Sequence, residues 1–457
     1  MKLQRFFKLA IFAVALMSFG AACVKEGPPG QDGANGATGA AGKNGTDANE
    51  TCKMCHTPAK VDLIAVQFQY SKHETGEAAI SESGNSGCSI CHTQGGFQDA
   101  VARKVPSTFT LNTTTGKYVN DYACDVAKAY GELLCRTCHS SIHETYTSTD
   151  LPKLTTTAAV PMTMWGGKKT INLTQDGGSS NLCVKCHQPR PFLSALDGNV
   201  IDYAALVSKP TALFFDYASP STALIKPSYR THTHYGTVGA IVAGMGGIEF
   251  SGTLAYANAV HATKAACSDC HMATMVGGAG GHSFNAKANF NGCNISGCHT
   301  GVNASSAKYW TNPRATIKGL LEQLAAKLVV VDGTLTAQIL NKNPDATSNL
   351  WAGVTTANYD GYLNIYDPLT NTPAIAGDSY NSQVANNGMV CQNPSPSAST
   401  WSQKQIDYNK TLPRIRLTNA QFGAIINFQL CLREYSLGIH NLDYSKALLT
   451  NSLAVLN

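Results

Sequence analysis

The sequence predicts a fold of mostly α-helix and irregular loops with little β-structure, organised around bound groups rather than one large aliphatic core. Three observations lead there. Charged residues make up only 14% of the 457, against a usual quarter or so, and 41 glycines are spread among them. Sixteen cysteines are present, most of them in one short recurring pattern. Sustained helical periodicity appears only in the last third of the chain. The length suits two or three ordinary domains.

Residues 1–22 read as a signal peptide. "MKLQRFFKLAIFAVALMSFGAAC" opens with Lys2, Arg5 and Lys8, continues as an apolar run and ends in small residues. The run is too short for a membrane span. The small residues stop at Cys23, where bacterial lipoproteins carry their lipidated cysteine, so Cys23 is the expected lipidation site. Gly20 stands where Leu is more usual, and ordinary cleavage is the alternative. Val24 is not the Asp that often retains such proteins at the inner membrane, which favours the outer one. Losing the three leader cations lowers the formal net charge from +5 to about +2. A nearly neutral chain offers no argument for nucleic acid.

Residues 23–50 carry glycine at every third position from Gly27 to Gly45. The expected role is a flexible tether between lipid and folded body. A short collagen-like triple helix, which would make a trimer, is the alternative.

Residues 51–304 are loop-rich and hold most of the Cys and His. Residues 305–457 form a helical region that is expected to pack on the first, interrupted by an irregular Asn/Pro/Ser-rich insertion at 340–412. "NPRATIKGLLEQLAAKL" offers Asn312 as N-cap and Pro313 in the first turn. Ile317, Leu320, Leu321, Leu324 and Leu328 follow at helical spacing. Further helices are expected over 418–436 and 442–456.

Cys-x-x-Cys-His occurs at Cys52/Cys55/His56, Cys88/Cys91/His92, Cys135/Cys138/His139, Cys183/Cys186/His187 and Cys267/Cys270/His271. A stretched sixth version, "CNISGCH", has Cys293, Cys298 and His299. The chemistry of haem accounts for this spacing. Two thiols can add to the vinyl groups on adjacent pyrroles, and a two-residue spacer on a helical turn sets both sulfurs at that separation. The following histidine then reaches the iron from the same side. The longer spacer must bulge outward to reach the same vinyls. One such motif alone could be a zinc half-site or a redox dithiol. Zinc does not need His after every second Cys, and a disulfide framework has no use for those histidines. Six haem c groups are therefore expected.

Thirteen histidines are present. Six belong to the motifs. The others are His73, His143, His232, His234, His261, His282 and His440, enough to close the second face of six irons with one to spare. Met245 and Met272 are the nearest substitute ligands. His143 follows His139 by four residues, on the same helical face if the helix continues, so it should reach the iron of a neighbouring haem. His261, six residues before Cys267, should likewise meet a haem next to the one held by His271. Three cysteines remain. Cys391 and Cys431 are candidates for a disulfide in an oxidising compartment, with buried free thiols as the alternative. Cys124 has no evident role.

These islands resemble the bacterial exported multihaem c-type cytochromes, lipoprotein forms included. The resembling stretches are "QYSKHETG" with "CSICHTQGGF", "CRTCHSSIHETY", "NLCVKCHQPR", "CSDCHM" with "GGHSF", and "SLGIHNLDYSKALL". The resemblance implies electron transfer, a fold organised by haems, and distal ligand roles for His73, His143, His282 and His440. "THTHYG" is similar to a His-His-Gly island of the family, with Thr233 inserted, and leaves His232 and His234 as alternatives; His234 is the preferred ligand.

The function expected from all this is an electron conduit at the cell envelope or surface. Six haems in roughly 250 residues leave little protein between neighbours. Bis-imidazole ligation leaves no open iron position for substrate. Axial ligand choice spans about 0.8 V among haem proteins, and two imidazoles favour the low end. Expected partners are periplasmic or outer-membrane cytochromes and an extracellular acceptor. A reductase of nitrite, hydroxylamine or a sulfur oxyanion would need one open haem; no Cys-x-x-Cys-Lys marks one. A polymeric haem filament is a third reading, opposed by the lipid anchor.

Overall fold

The computed structural model describes residues 58–76, 81–105, 110–112, 117–119, 123–140, 153–192, 201–218, 227–228, 231–287, 289–295, 297–300, 303–342, 359–366, 389–390 and 411–457. All of them belong to one unit, 51–457. The leader, Cys23 and the glycine-rich stretch lie outside the described residues, as do Cys52, Cys55, His56, His143 and Cys391.

The helix Asn419–Arg433 is the centre of the packing. Thr418 caps it reciprocally with Gln421: the Gln421 N–H donates to Thr418 Oγ1 at 3.2 Å, and the Thr418 N–H donates to Gln421 Oε1 at 2.9 Å. Every residue of the helix except Gln421 is buried, as befits a helix that is apolar nearly all round. It packs against Asn312–Lys327 and Leu442–Val455, whose inward faces carry Ile317, Leu321 and Leu324, and Leu448 and Leu449. The same core takes in Met162, Ile241, Ile248 and Phe250 from the motif-bearing half. Phe422 stacks on Phe214 with ring centroids 3.7 Å apart and planes 7° apart. Gly423 lets Phe250 lie against the helix: a Cβ there would meet the Phe250 ring at 2.5 Å.

Polar side chains of this core helix hold the irregular segments around it. The Gln429 amide donates to the carbonyls of Thr231 and Gly361 and accepts from the Thr233 N–H at 3.1 Å. Asn427 brackets Ile248, donating to its carbonyl and accepting from its N–H, both at 2.7 Å. Asn441, which caps Leu442–Val455, accepts from the Ala259 N–H at 2.9 Å and donates to the Ile241 carbonyl. The segments that carry His232, His234 and His261 are thus pinned from the C-terminal region.

Three details differ from the sequence expectation. The helix at 312 has no side-chain cap at Asn312; its cap position is Thr311, because a π-helical turn, Ala307–Thr311, runs directly into it. The 340–412 insertion contains strands: Leu340–Lys342 pairs antiparallel with Tyr359–Leu363, and Ile365–Tyr366 pairs parallel with Met389–Val390. Cys124 has a packing role, sharing a small buried cluster with Ile90, Ala100, Val105 and Ala129. Strands among the described residues occur only as two-stranded pairs, and no described helix is long and apolar enough to cross a membrane.

Candidate functional site

Four of the Cys-x-x-Cys-His motifs lie on short helices: Ser86–His92, Cys135–Cys138, Ser179–Cys186 and Cys267–His271. Residues three apart on a helix share a face, so each cysteine pair points one way. In two of these motifs the histidine N–H closes the turn on the first cysteine's carbonyl, His139 on Cys135 and His187 on Cys183, both at 3.0 Å. The stretched motif closes with the same bond: the His299 N–H donates to the Cys293 carbonyl at 3.0 Å. Its extra residues loop out, helped by Gly297 at φ 85°, where only glycine is unstrained. The bulge thus keeps the start and end of the motif in the relation the regular ones have.

The motif histidines stand opposite histidines from elsewhere in the chain. Ring centroids are 6.3 Å apart for His92 and His234, 5.9 Å for His187 and His73, 6.2 Å for His271 and His440, and 5.9 Å for His299 and His261. Two imidazoles bound to one metal from opposite sides, with metal–nitrogen bonds of about 2 Å, would hold their centroids ~6.3 Å apart. His282 is the histidine on which the charge of His139 bears. His232 lies edge-on to Tyr362 at 5.3 Å, and its Nδ1 accepts from the His234 N–H at 2.9 Å. Met245 packs against the apolar core, and Met272 is exposed just after His271.

Hydrogen bonds select the tautomer that a metal needs. Nδ1 of His261 meets the Ile439 carbonyl and Nδ1 of His271 the Phe284 carbonyl, both at 2.7 Å. Nδ1 of His440 meets Glu434 Oε2 at 2.5 Å. An Nδ1–H donated to oxygen leaves the Nε2 lone pair free for a ligand bond. His234 differs: its Nδ1 accepts from the Tyr235 N–H at 2.6 Å and lies 3.2 Å from the Tyr235 carbonyl. Burial pushes His187 and His234 down to about 3, so both rings are neutral. His73, His139, His271 and His282 are lowered by burial as well.

Cysteines of different motifs also meet. The thiols of Cys91 and Cys186 are in hydrogen-bonding contact, as are those of Cys183 and Cys267, and of Cys270 and Cys293. Cys138 lies within electrostatic range of both Cys183 and Cys186. Large apolar side chains stay exposed directly beside the ligand positions: Leu134, Tyr235, Val260, Met272 and Ile295. Each is adjacent in sequence to a motif residue or an opposed histidine. Among the described residues, no three or more His, Cys, Asp or Glu side chains converge on a single metal-ion site. The histidine donors come as opposed pairs, an arrangement that fits haem.

Of the two cysteines paired from sequence, Cys431 is buried in the core helix with its thiol directed to the Ser445 carbonyl, and burial raises it well above the usual thiol range. Cys391 lies outside the described residues, and with it the pairing. Sequence reasoning did not find Glu434 or Phe284. The acid lies six residues before His440, with no spacing rule to single it out. No family model, curated protein or solved structure matches the chain.

Proposed function

We propose that the chain is an exported multihaem c-type cytochrome that conducts electrons between redox partners at the bacterial envelope, lipid-anchored through Cys23. The observation that carries this reading is the set of opposed imidazoles, each joining a motif histidine to one distant in sequence. Cys88, Cys91 and His92 would hold one haem with His234. Cys135, Cys138 and His139 would hold another with His282. Cys183, Cys186 and His187 take His73; Cys267, Cys270 and His271 take His440; Cys293, Cys298 and His299 take His261. Cys52, Cys55 and His56, outside the described residues, would hold the sixth, with His143 or His232 as its second ligand.

Bound haem supplies a one-electron iron couple. The chain's part is to close both faces with nitrogen, which leaves no position for substrate, and to bring the attachment points together. The cysteine contacts order the motifs. Cys91 beside Cys186, Cys183 beside Cys267 and Cys270 beside Cys293 make a continuous series, and Cys138 places its motif beside the 183/186 position. Charges on four other histidines, His73, His271, His92 and His440, bear on His187, which makes the fourth motif the hub. Neutral, buried imidazoles suit a site that changes charge by one electron without gaining a proton.

Two measurements test the reading. The mature chain should weigh the polypeptide plus six haems. Carbon monoxide should leave the spectrum of the reduced protein unchanged. A gas-binding, high-spin haem would instead support a reductase.

A further inference from the structure

His440 differs from the other opposed histidines in what its Nδ1 meets. His261 and His271 donate to backbone carbonyls, whereas His440 donates to a carboxylate oxygen of Glu434. The Glu434 side chain is 0% exposed. Both of its oxygens are occupied by donors: Ser436 Oγ at 2.6 Å and His440 on Oε2, and the Gly438 N–H at 2.9 Å on Oε1. The loop is wound tightly to achieve this, with Tyr435, Leu437 and Gly438 all at positive φ and the His440 N–H donating to Ser436 Oγ. A carboxyl that accepts three hydrogen bonds and donates none is an anion.

We propose that Glu434 is a positioning residue that fixes the His440 tautomer and lowers the reduction potential of the haem held by Cys267, Cys270, His271 and His440. The inference rests on the assignment of that haem. The physical reason is donor strength. A ligating imidazole whose Nδ1–H is drawn towards a carboxylate is a better base than one facing an amide carbonyl, and second-shell hydrogen bonding is one of the protein's levers on haem potential. A fixed anion in the interior also favours the more positive, oxidised iron over the reduced one.

The test uses the full-length, haem-loaded protein and its Glu434→Gln variant, titrated electrochemically while the electron paramagnetic resonance spectrum is followed. Glutamine keeps a hydrogen-bond acceptor and removes the charge. The signal of the haem with near-parallel imidazoles, His271 and His440, is expected to move to higher potential while the others stay in place. Glu434→Asp, which keeps the charge, should restore most of the shift. An unmoved signal, or an equal shift of every haem, overturns the proposal. If Glu434→Gln loses that haem, the unmodified protein decides. On stepwise oxidation the near-parallel signal should appear before that of the His261/His299 haem, and its appearance afterwards overturns the proposal. Fewer than six haems, or five-coordinate iron, in the unmodified protein would overturn the site assignment itself. Six closed haems with an unmoved potential overturn only the role of Glu434.

Discussion

His271 and His440 face each other with ring planes 17° apart, although one closes a cysteine motif and the other precedes the last helix of the chain. The other opposed pairs are more twisted: 36° for His92 and His234, 69° for His73 and His187, and 75° for His261 and His299. Each ring's orientation is set by its own surroundings, so the angles differ from pair to pair.

The angles predict the magnetic signature of the oxidised protein. Parallel imidazoles act on the same iron d orbital and split it from its partner; perpendicular ones leave the two nearly degenerate. Low-temperature electron paramagnetic resonance should therefore show two classes. The His271/His440 and His92/His234 haems should give well-resolved rhombic signals, and the His73/His187 and His261/His299 haems strongly anisotropic ones with a large maximum g value. A single class across the protein would contradict these pairings.

The choice between His232 and His234 is open to direct measurement. Replacing His234 by Ala should open the iron position opposite His92, so that one haem in six binds carbon monoxide after reduction. Replacing His232 by Ala should leave the iron position opposite His92 closed. That change removes one acceptor for the His234 N–H, which costs about 1 kcal/mol. Gas binding by the His232 variant alone would reverse the assignment.

Gln429 should matter to the same site from beneath. Truncation to Ala strips partners from the Thr231 and Gly361 carbonyls and from the Thr233 N–H. At roughly 1–3 kcal/mol for each buried group left unpaired, the loss should be at least ~3 kcal/mol. Thermal unfolding would register it. Because Thr233 lies between His232 and His234, the Gln429→Ala protein should also bind some carbon monoxide before it unfolds.

Acid should act on the pair formed by Asp332 and Arg414. Arg414 grips Asp332 with two side-chain bonds at 2.7 Å and its backbone N–H at 3.0 Å. The side-chain bonds to Arg414 hold the carboxyl down at about 2, against about 3.9 in an unfolded chain. A depressed carboxyl contributes stability above its unfolded value and loses it as pH falls through the folded one. The wild-type advantage over Asp332→Asn should thus be complete above pH ~4 and gone near pH 2. The pair faces solvent, so the advantage should be small and should shrink with added salt.

Sequence and structure divide the site between them in an intelligible way. The motif residues and the supply of further histidines are legible because the Cys-x-x-Cys-His spacing is local and the histidines can be counted. The helices Asn419–Arg433 and Leu442–Val455 are legible because their apolar residues repeat with the helical period. Which histidine faces which is not legible, since the partners come from segments brought together only by the core. His261 faces His299 because Asn441 positions Ala259, and His234 faces His92 because Gln429 holds Thr231 and Thr233; neither contact leaves a trace in local pattern. The missing cap at Asn312 has a similar cause, a preceding π-helical turn that no capping rule anticipates. The short strands of the 340–412 insertion alternate over too few residues to stand out.

The buried helix Asn419–Arg433 has a consequence for the order in which the molecule can be assembled. A chain is synthesised from its N-terminus, so the motifs appear early and the element that organises the segments around them appears near the end. Until residues beyond 419 arrive, His234 lacks the Gln429 anchor of its loop and His271 lacks His440. The early motifs therefore meet the histidines that face them only once the last helices of the chain have been made.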